Sequence, residues 1–187
     1  VREHETLAAV LTGPVGRVGF DHRQKDADFY DLKGTLEDLL EAFGVDPGFG
    51  ADEVQFKALG DSVAYLHPRA SAAVELLRDG ASVTIGTLGE IHPDVLEAYE
   101  IRGSAFAFEV RPAALAAMVA DKPTAQALPR FPAVTRDLAF VVDDGVAAGV
   151  FCQALARADA LAGLLEDVEV FDVYRGDQLP AGKKSLA

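Results

Sequence analysis

The chain has 187 residues, 50% of them hydrophobic, and 30 acidic against 17 basic residues give a formal net charge of −13. This size and apolar content suit one ordinary domain or two small ones and exclude a disordered chain. No apolar stretch approaches the roughly 18 residues that a membrane span needs, and we expect neither a membrane segment nor a secretory signal. The single cysteine, Cys152, excludes an internal disulfide framework and a cysteine-cluster zinc site, so we expect a reducing compartment.

The first segment predicts a strand, a turn and a second strand, because residues 7–11 and 18–20 are apolar and glycines separate them. A helix is predicted from Asp28, which can cap its N-terminus, to Gly44, which stands where a left-handed residue is needed. Thr35 is an alternative N-cap, because a glycine inside a helix costs about 1 kcal/mol. The apolar residues of this helix recur at helical spacing and are Phe29, Leu32, Leu36, Leu39, Leu40 and Phe43.

The middle of the chain predicts alternating strands and helices. Residues 54–59 and 63–66 are predicted as short strands on either side of a turn. Pro68 is predicted to open a helix over residues 69–78, because proline is favoured at the first helical position. The β-rich run over 82–89 predicts another strand.

Two more helices and a strand are predicted before the first domain ends. Pro93 opens a short helix, and Pro112 opens an Ala-rich one. Between them, residues 104–110 alternate so that Phe106 and Phe108 share one face, which predicts a half-buried antiparallel strand.

Three prolines between residues 121 and 132 predict an extended linker, and we place the domain boundary there. After it, residues 137–142 are predicted as a strand, 146–162 as a helix and 168–174 as a second strand. A third strand is expected to begin within residues 182–187. Such a unit lacks the second layer that would complete its core, so we expect the second domain to be cut short.

The acidic surplus is uneven: residues 1–127 hold 11 basic and 21 acidic side chains, and residues 128–187 hold 6 and 9. A local positive patch is therefore allowed in the second part, although scattered solvated charges are the simpler interpretation. The basic residues predicted to lie at strand ends or in loops there are Arg130, Arg136, Arg175, Lys183 and Lys184.

No set of residues is predicted to be catalytic or to bind a metal. His67 and His92 each precede a proline at a predicted helix start, and no third ligand has a suitable spacing, so backbone capping is preferred over a metal site with Glu90. Cys152 lies among Ala and Leu without a neighbouring base, which favours a packed thiol over a nucleophile.

Several blocks, taken together and in this order, resemble one family. They are DFYDLKG at 28–34, LHPRASA at 66–72, IGTLGEIHP at 85–93, RFPAVTRDLA at 130–139 and FDVYRG at 171–176, running into GKKSLA at 182–187. The series resembles the C-terminal part of the bacterial phenylalanine–tRNA ligase beta subunit, and it covers nearly the whole chain.

The resemblance implies an α+β fold with two modules. Residues 1–122 would be an antiparallel sheet flanked by helices, a module related to class II synthetase catalytic domains that has lost catalysis. Residues 123–187 would be a linker and the truncated start of a ferredoxin-like anticodon-binding domain. Active class II domains carry glycines and an ATP-contacting Arg at their last strand and helix, whereas the comparable residues 105–112 contain Phe side chains and no glycine.

The resemblance also implies a role as a ligase subunit in the cytoplasm. The alpha subunit would use ATP and Mg²⁺ to attach phenylalanine to its tRNA, and this fragment would hold no active site and no cofactor. Its expected partners are the alpha subunit, in an alpha2beta2 heterotetramer, and the phenylalanine tRNA.

By the same resemblance, Asp172, Tyr174 and Ser185 correspond to positions that hold the first anticodon base. A tyrosine ring stacks on an unpaired base, while carboxylate and hydroxyl groups can read its edge. Arg136 and Arg175 are expected to contact the RNA backbone, with a salt bridge to a nearby carboxylate as the alternative for Arg136. Without the resemblance, Tyr174 would be interpreted as a half-buried strand aromatic.

Two other functions remain open at this level. The net charge of −13 and the absence of a basic stripe suggest a stand-alone protein-interaction module without RNA binding. A small hydrolase that uses Glu90 and His92 is the third hypothesis.

Overall fold

A computed structural model describes residues 3, 5–16, 20, 24–45, 54–78, 81–116, 131–161 and 163–187. These residues form two compact units, one up to residue 116 and one from residue 131. Both units are built on antiparallel sheets with few helices. Among the described residues, no helix is long and apolar enough to cross a membrane. Residues 18 and 19 of the predicted strand over 18–20 and most of the predicted linker lie outside the described residues.

The described part of the first unit contains seven strands and three α-helices. The strands are β1 (Leu7–Thr12), β2 (Pro14–Val15), β3 (Lys25–Asp26), β4 (Val54–Ala58), β5 (Leu66–Arg78), β6 (Ala81–Ile91) and β7 (Ala105–Val110). The helices are α1 (Phe29–Ala42), α2 (Pro93–Ala98) and α3 (Pro112–Ala116), with a 3₁₀ turn at Gly60–Ser62. Five strands form one sheet in the order β1-β7-β6-β5-β4, and β2 pairs with β3.

Helix α1 begins where Asp28 caps it. The Asp28 carboxylate accepts hydrogen bonds from the backbone N–H groups of Tyr30 (2.8 Å) and Asp31 (3.0 Å), and the Asp31 carboxylate accepts one from the Asp28 N–H (2.9 Å). This reciprocal pair satisfies donors that a helix start otherwise leaves unpaired. The predicted Asp28 cap is confirmed, as is Gly44 with a φ of 76° at the other end, and the alternative start at Thr35 is wrong.

Helix α1 packs its apolar stripe onto one face of the five-stranded sheet. Leu32, Leu36 and Leu40 are fully buried and share one cluster with residues of β5, β6 and β7. Burying a leucine side chain stabilises the fold by about 1.5–3 kcal/mol, so this stripe is a principal attachment of the helix.

The helix predicted over residues 69–78 is wrong, because these residues lie in strand β5. Alternate residues Ala72, Val74 and Leu76 are buried on the helix-facing side of the sheet, which is the period of a strand. Antiparallel pairing with β4 on one side and β6 on the other fixes the position of β5 in the sheet. Ala, Glu, Leu and Arg favour helices, but the pairing of long strands overrides that weak local preference. The predicted strand over 63–66 is correspondingly reduced to Leu66, the first residue of β5.

Strand β7 is more buried than the half-buried strand that its alternation predicts. Phe106 and Phe108 face the core as expected, but Ala105 and Ala107 on the opposite face are also buried. The reason is position, because β7 lies inside the sheet between β1 and β6. The predicted strand over 82–89 and the helices opened by Pro93 and Pro112 are confirmed.

The second unit contains β8 (Phe140–Asp143), α4 (Ala148–Ala156), a 3₁₀ turn at Asp159–Leu161, β9 (Val173–Tyr174) and β10 (Lys183–Leu186). Strand β10 lies between β8 and β9 and is antiparallel to both. Strands β8 and β9 are therefore parallel to each other with one strand between them, which is the split βαβ arrangement of ferredoxin-like folds.

The predicted order of elements in this unit is confirmed, but its elements are shorter than predicted. The helix predicted over 146–162 ends at Ala156. The strand predicted over 168–174 is only two residues long, because the N–H groups of Phe171 and Asp172 both donate to the Ala187 carbonyl and interrupt the regular ladder.

Gly86 provides a test of the sheet packing. A Cβ at Gly86 would overlap the Glu109 carbonyl oxygen and lie 2.7 Å from Val110 Cγ1 and 2.8 Å from Val110 Cα. We expect Gly86→Ala to lower the free energy of unfolding by about 1–3 kcal/mol, because backbone must move to admit the methyl group. Denaturant unfolding measures the change.

Gly34→Ala is the matched control, because a Cβ at Gly34 inside α1 meets nothing within 4 Å. We expect it to raise stability by about 0.5–1 kcal/mol through the better helix propensity of alanine. If Gly86→Ala and Gly34→Ala both changed the free energy of unfolding by the same small amount, the close approach of β6 and β7 would be contradicted.

Candidate nucleic-acid interface

Strand β10 brings the residues of the candidate site together. Ser185 pairs with Tyr174 on β9 and with Val141 on β8. Asp172 exchanges two backbone hydrogen bonds with Ala187, at 3.0 and 3.2 Å. Directly paired residues place their side chains on the same face of a sheet, and alternate residues along a strand share that face.

The two faces of the three-stranded sheet differ in character. The Phe140 ring lies 5.1 Å from the Phe151 ring of α4, so this helix covers the face that Phe140 occupies together with its cross-strand partner Leu186. The other face, which we call the open face, carries Val141, Asp143, Asp172, Tyr174, Lys183 and Ser185.

The open face combines one aromatic ring with polar groups. Tyr174 is 43% exposed and Val141 is 55% exposed. Ser185 stands directly opposite Tyr174, and Asp172 is two residues before it on the same face. A ring of this exposure offers a stacking surface, and the hydroxyl and carboxylate beside it can pair with the hydrogen-bonding edge of a stacked base.

Basic groups near the open face are neutralised by carboxylates. Lys183 Nζ lies 2.6 Å from the Asp143 carboxylate, and Arg175 Nε lies 2.7 Å from that of Asp144. The basic residues of this unit therefore do not form the local positive patch that the sequence allowed: Lys184 is buried, and its Nζ donates to the Asp144 carbonyl at 2.9 Å. Period-two alternation turns Lys184 away from the open face that Lys183 occupies.

Arg136 is not brought into these strand pairings. It lies in the irregular segment before β8, and its guanidinium donates to the carbonyl of the adjacent Thr135 at 2.9 Å. Of the five residues predicted for the site, the structure therefore brings together Asp172, Tyr174 and Ser185, and it places Arg175 in an ion pair with Asp144. Arg130 lies outside the described residues.

The sequence indicated Lys183 only as a basic residue at a strand end or in a loop, and it did not identify Val141 and Asp143 on the open face or Asp144 beside it. Period-two alternation from Ser185 would have placed Lys183 on the same face. The two aspartates and Val141 depend on the pairing of β8 with β10, which joins residues about 40 positions apart and leaves no local sequence signal.

The histidines of the first unit have structural contacts. His92 Nδ1 accepts the Asp94 N–H at 3.2 Å at the start of α2, so the predicted helix cap is confirmed. His67 Nδ1 accepts the Arg69 N–H at the same distance, but His67 lies within strand β5 and not at the start of the predicted helix. The Glu90 carboxylate accepts the Ser104 hydroxyl at 3.0 Å.

The environment of the Cys152 thiol does not activate it as a nucleophile. Burial raises the pKa of the Cys152 thiol, and the negative charge of Asp167 adds to the rise, which disfavours the nucleophilic thiolate. Within the part of the chain that the structure describes, no group of three or more His, Cys, Asp or Glu residues could hold a metal ion.

Sequence comparison assigns the family. A family model described as "Phenylalanyl tRNA synthetase beta chain CLM domain" matches residues 1–111. The chain belongs to the phenylalanyl-tRNA synthetase beta chain family. A second family model, described as "Ferredoxin-fold anticodon binding domain", matches residues 129–187, in agreement with the split βαβ sheet of the second unit.

Relatives within the phenylalanyl-tRNA synthetase beta chain family confirm the resemblance. The phenylalanine–tRNA ligase beta subunit of Geobacillus kaustophilus is 40% identical over 185 residues, which are 99% of this chain and 21% of that subunit. The beta subunit of Anaeromyxobacter dehalogenans is also 40% identical, with the same coverage. That of Syntrophotalea carbinolica is 36% identical over 97% of this chain and 21% of the subunit. The chain spans about a fifth of the length of these relatives.

The ion pair between Arg175 and Asp144, beside the open face, predicts a lowered pKa for the Asp144 carboxyl. Arg175 holds the pKa of the Asp144 carboxyl below its ordinary value, because the guanidinium donates a hydrogen bond to the carboxylate and attracts its charge. The folded pKa is thus below the unfolded one, so the pair stabilises the folded unit at neutral pH, and this contribution is lost as the pH falls through the folded pKa. We expect Arg175→Gln to return the Asp144 pKa toward its ordinary value in an NMR titration of the carboxyl carbon.

Lys183→Gln is the control for that titration, because Lys183 pairs with Asp143 instead. It should leave the Asp144 pKa low. An Asp144 pKa that does not rise in the Arg175→Gln protein would show that the two groups are not paired in solution.

Proposed function

We propose that this chain is a non-catalytic part of a phenylalanine–tRNA ligase beta subunit that supports assembly with the alpha subunit and recognises the tRNA anticodon. The observation that carries the recognition role is the open face, where pairing sets Ser185 opposite Tyr174 with Asp172 on the same side. The family assignment of residues 129–187 supports the same role.

RNA-binding surfaces are often basic, but the open face is not. We propose that contacts to the base itself hold the RNA there. Sequence-specific recognition of single-stranded RNA uses unstacked bases held against aromatic rings and read at their edges. Tyr174 supplies the ring, and Ser185 and Asp172 supply one donor-acceptor hydroxyl and one acceptor carboxylate. Stacking of one base contributes about 1–3 kcal/mol, which does not depend on net positive charge. A chain with a net charge of −13 can therefore hold such a site.

Arg175 is proposed to contact the RNA backbone at the rim of the open face. Its guanidinium lies 2.7 Å from the Asp144 carboxylate. A phosphate oxygen can take the place of the carboxylate oxygen as the acceptor of this hydrogen bond. Arg136 is proposed as a second backbone contact from the segment before β8.

The first unit is proposed to be the catalytic-like module of class II descent, over residues 1–122, with residues 123–187 forming the linker and the anticodon-binding domain. Phe106 and Phe108 of β7 are buried against the core, so aromatic rings fill the helix-facing side of this strand. Among the described residues, no group of three or more His, Cys, Asp or Glu residues could hold a metal ion such as Mg²⁺. The alpha subunit would supply the chemistry that attaches phenylalanine to its tRNA, within an alpha2beta2 heterotetramer in the cytoplasm.

The recognition role predicts coupling between Tyr174 and the anticodon. We expect Tyr174→Ala in the full-length protein, assembled with the alpha subunit, to weaken binding of phenylalanine tRNA by about 1–3 kcal/mol because one stacked base is lost. Tyr174→Phe should bind almost normally, because it keeps the ring. Fluorescence anisotropy with labelled tRNA measures both.

The control variant is Tyr99→Ala, which removes an exposed tyrosine of the first unit. It should leave the anticodon dependence of binding intact. In the Tyr174→Ala protein, replacing the first anticodon base should cause little further loss. Full loss on base replacement in that protein would show that other residues recognise the base and would contradict the role of Tyr174. Binding by the wild type that does not change when the anticodon base is replaced would favour a protein-interaction module without RNA recognition.

The assembly role has a separate test. We expect the full-length beta chain to co-purify with the alpha subunit when the two are expressed together. A folded beta chain that elutes alone would remove the assembly role without affecting the anticodon site.

A further inference from the structure

The chain passes close to the Tyr174 ring at Gly176. A Cβ built on Gly176 would overlap the Tyr174 hydroxyl oxygen, and it would lie 2.6 Å from Cζ and 3.2 Å from Cε1 of the same ring. The outer end of the phenol therefore occupies the space that any side chain at position 176 would need. All three nearest atoms belong to this one ring, so the close approach is specific to Tyr174.

Glycine is needed at position 176 for space and not for backbone conformation. Gly176 is absent from the residues with positive φ, whereas Gly163 and Gly182 of the same unit adopt φ values of 73° and 77°. An L-residue could thus adopt the Gly176 backbone, and its side chain would meet the ring. This separates Gly176 from glycines that only permit a turn.

Backbone hydrogen bonds limit how far either residue can retreat. The Gly176 carbonyl accepts the Leu179 N–H at 3.0 Å, which closes the turn after β9. Tyr174 is paired with Ser185 on the central strand. Turning the phenol about its side-chain bonds breaks none of these contacts, so the ring is the part that would move when a methyl group is added at position 176.

We propose that Gly176 positions the Tyr174 ring on the open face and thereby sets the geometry with which this ring stacks on the anticodon base. The inference rests on the proposed function. Gly176 acts through Tyr174 and contributes no recognition group of its own. Stacking needs the Tyr174 ring in one fixed position, because it depends on the ring plane and on the offset of the ring from the base.

The test is a double-mutant cycle in the full-length beta chain assembled with the alpha subunit. Binding of phenylalanine tRNA is measured for the wild type, Gly176→Ala, Tyr174→Ala and the double variant. We expect Tyr174→Ala to weaken binding roughly 5-fold to 150-fold, the range for one lost stacked base. Gly176→Ala should weaken binding at least about 5-fold, and the double variant should bind as Tyr174→Ala does, because there is no ring left to displace.

Gly149→Ala is the matched control, because a Cβ on this helix residue of the same unit meets nothing within 4 Å. It should bind tRNA as the wild type does. A similar loss in Gly149→Ala would overturn the assignment to Gly176.

The outcomes separate the inference from the proposed function. If Tyr174→Ala weakens binding and Gly176→Ala does not, or if the two losses add, the positioning role is wrong and the anticodon site stands. If Tyr174→Ala has no effect, the proposed function fails and the inference fails with it. Gly176→Ala could prevent folding. In that case, folding of the double variant with Tyr174→Ala would support the contact between position 176 and the ring, and failure of the double variant to fold would overturn this contact.

Discussion

Strand β10 imposes the constraint on which the second unit depends, because it pairs with β8 on one edge and β9 on the other. Its alternation divides the unit: Lys184 and Leu186 are buried on the helix side, and Lys183 and Ser185 lie on the open face. A shift of one residue in either pairing would exchange these two sets, so burial of Leu186 and the hydrogen bond of Lys184 to a carbonyl hold the register. The position of Ser185 opposite Tyr174 follows from that register.

This register also determines the electrostatics of the candidate interface. Lys183 and Arg175 are each paired with an aspartate from the end of β8 or the residue after it, so these basic groups leave no net positive charge around Tyr174. Binding of RNA by such a surface would draw on stacking and base-edge hydrogen bonds, with phosphate contacts in a secondary role. The negative charge of the whole chain is then compatible with RNA recognition, because most of the acidic surplus belongs to residues 1–127.

Local chemistry was enough to predict some elements, and long-range pairing decided the others. The cap at Asp28, the end at Gly44 and the proline-opened α2 and α3 carry signals within a few residues of the element itself. Strand β5 was mistaken for a helix because Pro68 and helix-favouring residues outweighed the alternation of Ala72, Val74 and Leu76. The grouping of Asp172 with Tyr174 follows from period-two geometry, whereas the contribution of β8 and the contact of Gly176 with the Tyr174 ring require the folded chain.

The central claim is that the open face of the second unit holds an unpaired anticodon base. Photo-crosslinking of phenylalanine tRNA with a photoreactive base at the first anticodon position, followed by mass spectrometry of the cross-linked peptide, tests it most directly. We expect a cross-link within residues 171–176 or 183–187, the segments that carry Tyr174 and Ser185. A cross-link confined to the helix side of the sheet or to the first unit would contradict it.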